Sequence, residues 1–140
     1  MITHIKKYLP PIIAGVVVII FGLIISNYLG HYDLIPELDS IYHVLGGGVL
    51  GWFFYRYFTN HASGLTAFNL TLVCVASVCL IGVFWEIAER LSSIYSDPYF
   101  PWLYRWFHGG DLDDTLFDLL CDMFGGFAFV VASIVTRRKV

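Results

Sequence analysis

Four long apolar runs fill this 140-residue chain and leave it little with which to build anything else. A membrane-crossing helix needs about 20 mostly apolar residues, and Leu9 to Leu29, Ile41 to Phe58, Leu65 to Trp85 and Thr115 to Val135 are read as four such spans. Composition agrees. The chain is 58% apolar and 14% charged, against roughly 45–50% and 25% for soluble domains. The sequence therefore predicts an all-α fold: a polytopic membrane protein, one domain, a compact bundle of four transmembrane helices. Four spans with short loops leave no room for a separate soluble domain.

Lysine and arginine set the expected orientation, because cytoplasmic loops carry the excess of positive charge. With four spans drawn, Lys6, Lys7, Arg56, Arg137, Arg138 and Lys139 fall on one side, and only Arg90 and Arg105 on the other. Both termini are expected to be cytoplasmic, in a multi-pass protein of the cell inner membrane. Lys6 and Lys7 ahead of an apolar run also fit a signal peptide. That run is longer than a signal core, however, and no small-x-small cleavage site ends it before Tyr28 and His31, so a retained span is expected. Membrane lipids are the expected surroundings, and nucleic acid is excluded by a net charge of −3 with basic residues clustered only in the tails. Cys74, Cys79 and Cys121 are odd in number and lie inside apolar spans, so they read as buried fillers and not as a disulfide framework.

The same drawing places all eleven acids, from Asp33 to Asp122, on the outer side, although acids were not used to draw it. Helical spacing organises them. In the second span Asp39, His43, Gly47 and Gly51 recur every four residues and form one slowly drifting stripe. Asp114, Asp118, Asp122 and Gly126 repeat the arrangement in the fourth span, and the third carries Gly82 followed by Glu86 and Glu89. Small residues spaced by four let helices approach closely, which draws the three acidic stripes together. The first span, with no ionisable group between Ile12 and Ile25, reads as a lipid-facing scaffold.

Between the last two spans the segment 97–107, Asp-Pro-Tyr-Phe-Pro-Trp-Leu-Tyr-Arg-Trp-Phe, is dense in aromatics and suits the membrane interface. It reads equally as an aromatic belt or as a short interfacial cover over the acids. His108, Gly109 and Gly110 then form a turn into Asp111.

Ionisable groups inside a span cost about 2.5–3.5 kcal/mol each at a helix centre. Asp111 and Asp113 have an ordinary explanation as helix caps. Asp118 and Asp122 lie too deep to cap anything, so they are expected to face the bundle interior. Carboxylates with an imidazole suit a divalent metal, with Mg²⁺, Ca²⁺ or Mn²⁺ favoured by oxygen-rich shells and Zn²⁺ by histidine. The candidate ligands are Asp39, His43, Glu86, Asp118 and Asp122, with Glu89 or Asp114 as catalytic base. A core histidine, or acids paired with Arg90 and Arg105, is the plain structural alternative.

Taken in order, Asp39-x3-His43-x2-Gly46-Gly47, Trp85-Glu86-x2-Glu89 and Asp114-Thr115-x2-Asp118-x3-Asp122-x2-Gly125 resemble the VanZ-like superfamily, and more closely its YjdF-like branch of small bacterial inner-membrane proteins. The resemblance spans roughly residues 35 to 130. It departs where that pattern usually has Asn at the position of Asp122, and where the VanZ-like branch has Asp-Glu-x2-Gln in place of Trp85, Glu86 and Glu89. Taken together the departures make this site more anionic. The resemblance implies a four- or five-helix bacterial membrane protein with a cell-envelope role.

Two functions are expected from these readings. One is a metal-dependent membrane hydrolase or transferase acting on a lipid or envelope precursor, with the ion polarising a phosphoryl or carbonyl oxygen. The other is a non-enzymatic protein, either binding a cation or ligand or serving a structural role. Below Asp122 and Glu86 the chain offers only Gly126, Gly82, Ser77 and Ser133, which predicts a closed outer cavity and not a through-pore.

Overall fold

A computed structural model describes residues 6–29, 38–95 and 111–137. Within them the chain forms four helices and no strand: α1 (Leu9–Leu29), α2 (Leu38–His61), α3 (Ala67–Tyr95) and α4 (Leu112–Arg137). The aromatic segment 97–107, and the acids Asp33, Glu37 and Asp97, lie outside the described residues.

The apolar runs foretell the helices, and the ends differ where polar residues continue a helix. α3 runs ten residues beyond Trp85, because Glu86-Ile87-Ala88-Glu89-Arg90-Leu91 consists largely of good helix formers. α4 starts at Leu112, and Asp111 caps it. The Asp111 Oδ1 accepts hydrogen bonds from the backbone amides of Asp113 at 3.0 Å and Asp114 at 3.1 Å. Asp111→Ala is expected to cost about 1 kcal/mol, read as a lowered melting temperature, whereas Asp111→Asn is expected to be nearly neutral.

Pairing is set by glycine. α2 and α4 form the most extensive contact, followed by α3 with α4. A β-carbon on Gly47 would collide with the backbone carbonyl of Asp122, and one on Gly125 with that of Val44. One turn along, a β-carbon on Gly51 would lie 2.8 Å from the Gly126 carbonyl oxygen. α1 packs mainly on α2. Arg56 donates to the Lys7 carbonyl at 2.7 Å, and Tyr8 stands 3.3 Å from His61, tying the start of α1 to the end of α2.

The bundle is inside-out relative to a soluble protein. Among the described residues five apolar side chains are buried, Pro11, Leu70, Cys74, Val78 and Val130, alongside five ionisable ones, His43, Glu86, Glu89, Asp118 and Asp122. Large apolar side chains such as Phe68, Leu72, Phe84, Phe117, Leu120 and Phe124 face outward. A water-soluble monomer rarely shows so extensive an apolar surface. α3 and α4 are each long and apolar enough to cross a membrane.

Charge divides along the bundle. Lys7 and Arg56 meet at one end, where Arg137 shares a groove with Arg56. The buried acids gather toward the other, where Arg90 and Asp111 line a groove beside Glu86. Cys74 is buried while Cys79 and Cys121 are half-buried, and all three are free thiols.

Candidate metal centre

His43 is the centre of the buried polar set. It sits on α2 one turn from Gly47, so the close α2–α4 approach that Gly47 permits also presses the imidazole against α4. Gly82 does the same for α3: a β-carbon there would come within 2.5 Å of Asp122 Oδ2. The imidazole is 6% exposed and Asp118 1%.

Two carboxylate oxygens flank one ring nitrogen. Glu86 Oε1 and Asp118 Oδ2 each lie 3.8 Å from His43 Nε2, and both oxygens are buried without a hydrogen-bond partner. A separation of 3.8 Å is too long for a direct hydrogen bond. A water bridging either pair through bonds of about 2.8 Å would need an angle of about 85°, tighter than its tetrahedral preference. An ion with bonds of about 2.0–2.2 Å spans either gap.

Asp122 is placed differently. Its Oδ1 stands 3.4 Å from Nδ1, on the other side of the ring. A carboxylate behind the imidazole orients it and raises its basicity as a ligand. Two sets of ligand-type atoms fall within 4.8 Å of one another, Asp39 with His43 and Asp118, and His43 with Glu86 and Glu89. His43 belongs to both and Asp122 to neither.

Glu89 is buried and held by Trp85, whose indole Nε1 donates to Glu89 Oε1 at 2.7 Å. That contact escaped the reading of the sequence, although the spacing of four residues on one helix permits it. Tyr42 was also missed. Its hydroxyl is buried without a partner, and nothing in the surrounding sequence marks it.

Asp114 is not brought into this set. It is exposed in the first turn of α4, where its backbone amide donates to Asp111. Its charge bears on Asp118 from outside. Arg90 is exposed, and the ion-pair contacts within the cluster among the described residues run to His43.

Below the acids the interior turns apolar. Val78 and Val130 are fully buried, Cys74 packs with Leu70 and Val130, and Phe54 and Phe58 press against that cluster. The polar stripe ends there.

The family described as "Predicted membrane protein (DUF2238)" matches residues 2–139. A Thermotoga maritima protein described as "Uncharacterized protein" is 32% identical over 121 residues, covering 83% of this chain and 56% of its own length. The chain thus spans little more than half of that relative. No solved structure matches.

Proposed function

This chain belongs to the DUF2238 family of predicted membrane proteins, and from that premise we propose a four-span protein of the bacterial inner membrane with a divalent metal centre. α1 with 21 residues and α2 with 24 reach about 30 Å or more at 1.5 Å per residue, the thickness of a bilayer core. The basic end formed by Lys7, Arg56 and Arg137 is cytoplasmic on the positive-inside rule. His43 and the acids then lie toward the outer side. The VanZ-like motif order fits the same arrangement.

The observation that carries the metal is the pair of buried, unpartnered oxygens of Glu86 and Asp118, each 3.8 Å from His43 Nε2. Buried carboxylates around a single imidazole call for added positive charge, and a divalent cation supplies it. In this reading His43 is the ligand common to two sets, one completed by Asp39 and Asp118 and the other by Glu86 and Glu89, and Asp122 orients the ring. An imidazole with carboxylates suits Zn²⁺ or Mn²⁺ better than it suits Mg²⁺ or Ca²⁺.

The ligand is a lipid or an envelope precursor. An ion held by Asp39, His43 and Asp118 would polarise a phosphoryl or carbonyl oxygen, and Glu89, hydrogen-bonded by Trp85, would serve as base. Asp114, at the exposed rim, is a second acceptor. The apolar plug of Cys74, Val78 and Val130 favours this closed site over an ion pathway.

Elemental analysis of the purified protein tests the reading. A near-stoichiometric divalent metal is expected in the unaltered chain, with a melting temperature that falls on chelation. The double substitution Glu86→Gln with Asp118→Asn is expected to lower metal content at least tenfold. A folded, unaltered protein that gains neither metal nor thermal stability from Zn²⁺ or Mn²⁺ would end the proposal.

A further inference from the structure

A chamber of about 250 Å³ opens beside the cluster, between α1, α2 and α3. One end is polar, bounded by Asp39, His43, Glu89 and Asp122. The remaining wall is apolar, with Val18 and Ile19 from α1, Leu50 from α2 and Ile81 from α3. We propose that this chamber receives the apolar chain of a phosphate-headed amphiphile and presents the head to the His43 centre. The head rests on the metal reading above; the chain rests on the chamber itself.

Three observations support an amphiphile. First, the glycines divide by function. Gly47, Gly51, Gly82, Gly125 and Gly126 each press on a neighbouring helix, but a β-carbon on Gly46 would meet nothing within 4 Å. Gly46 lines the chamber. Glycine is a poor helix residue, and helix packing gives no reason for it at this position. Open volume does.

Second, Tyr42 also lines the chamber, and its buried hydroxyl lacks a partner. It offers a donor to an oxygen-rich head. Third, direction fits. From Asp39 to Leu50 the chamber follows α2 for about 16 Å at 1.5 Å per residue, with the polar end outward and the apolar end toward mid-bilayer. A lipid of the outer leaflet runs the same way. The head class rests on the metal reading: an ion at His43 would take a phosphate oxygen as a further ligand, whereas without an ion an ammonium head would pair with the carboxylates directly.

α1 thereby acquires a role that its sequence does not announce. Its outward face is apolar and exposed along Ile12, Val16, Ile20 and Ile24, while Gly22 is buried and, with Gly15, borders the chamber.

The test measures binding of butyl, hexyl, octyl, decyl and dodecyl phosphate to the metal-loaded protein in amphipol. Affinity is expected to rise about three- to fourfold per added methylene and then level off once the chamber is full. Gly46→Leu fills the chamber from α2, and Val18→Phe fills it from α1. Each is expected to abolish the dependence on chain length with metal content unchanged, and Gly46→Ala is expected to move the plateau to a shorter chain. Affinity that climbs without a plateau, and equally in Gly46→Leu and Val18→Phe, would overturn the chamber. A plateau in a protein that holds no metal, with alkylammonium binding in place of alkyl phosphate, would overturn the phosphate head and the metal reading while leaving the chain. Full metal content without any plateau would overturn the chain alone.

Discussion

Gly47→Ala is expected to break the central seam of the bundle, while the same change one residue earlier, Gly46→Ala, is expected to stabilise it. The added β-carbon at Gly47 meets the backbone of Asp122, which cannot move aside as a flexible side chain would. Overpacking a tight contact costs about 1–3 kcal/mol where side chains can adjust, so a backbone collision sets the expected loss at about 3 kcal/mol or more. At Gly46 no atom lies in the way, and alanine recovers about 0.5–1 kcal/mol of helix propensity. Melting in detergent, followed by circular dichroism, should separate the two variants by well over ten degrees. Equal melting temperatures would show that the α2–α4 approach is not as close as described. Gly125→Ala should behave like Gly47→Ala, because its β-carbon meets the Val44 carbonyl across the same seam.

His43→Ala is expected to be the most damaging change within the polar set. The imidazole is the common neighbour of Glu86, Asp118 and Asp122, and without it three buried carboxylates face one another. Removing one partner of a buried charged group costs about 3–5 kcal/mol. Adding Asp118→Asn should recover part of that loss, because it removes one of the stranded acids. The two substitutions are therefore expected to couple, by about 0.5–3 kcal/mol in a double-mutant cycle. Strict additivity, or a His43→Ala protein as stable as the original, would show that the acids are compensated elsewhere. Metal content should fall in both single variants, which keeps loss of the centre distinct from loss of the fold.

Much of this site is readable along the chain, for a local reason. Asp39, His43, Gly47 and Gly51 fall on one line because helix periodicity belongs to the backbone and needs no partner. The same holds for Asp118 and Asp122, and a depth of two turns in an apolar run already requires them to face inward. The limit appears at Asp114. It shares the stripe of Asp118 by spacing, yet it is exposed, because only deeper turns of α4 are covered by α2 and α3. Asp122 shows the limit in another form. It is legible as an inward acid, but its place behind Nδ1 depends on how far α2 slides along α4, and no residue of either helix encodes that offset alone. The hydrogen bond from Trp85 to Glu89 and the place of Tyr42 are not legible along the chain, because an aromatic in an apolar span ordinarily signals packing.

The amino-acid sequence by itself determined that four helices form, which face of the last three carries acid and glycine, and that most basic residues stand at one end while the buried acids gather toward the other. Those properties follow from hydropathy over about 20 residues and from a repeat of 3.6, both local. Tertiary structure alone decided which oxygens meet which nitrogen, that Gly46 faces open volume while Gly47 seals a helix contact, and that α1 walls a chamber. These depend on helix rotation and offset to within about an ångström, which is set when backbones meet at Gly47, Gly125 and Gly51 and the carboxylates have nowhere to go except around His43.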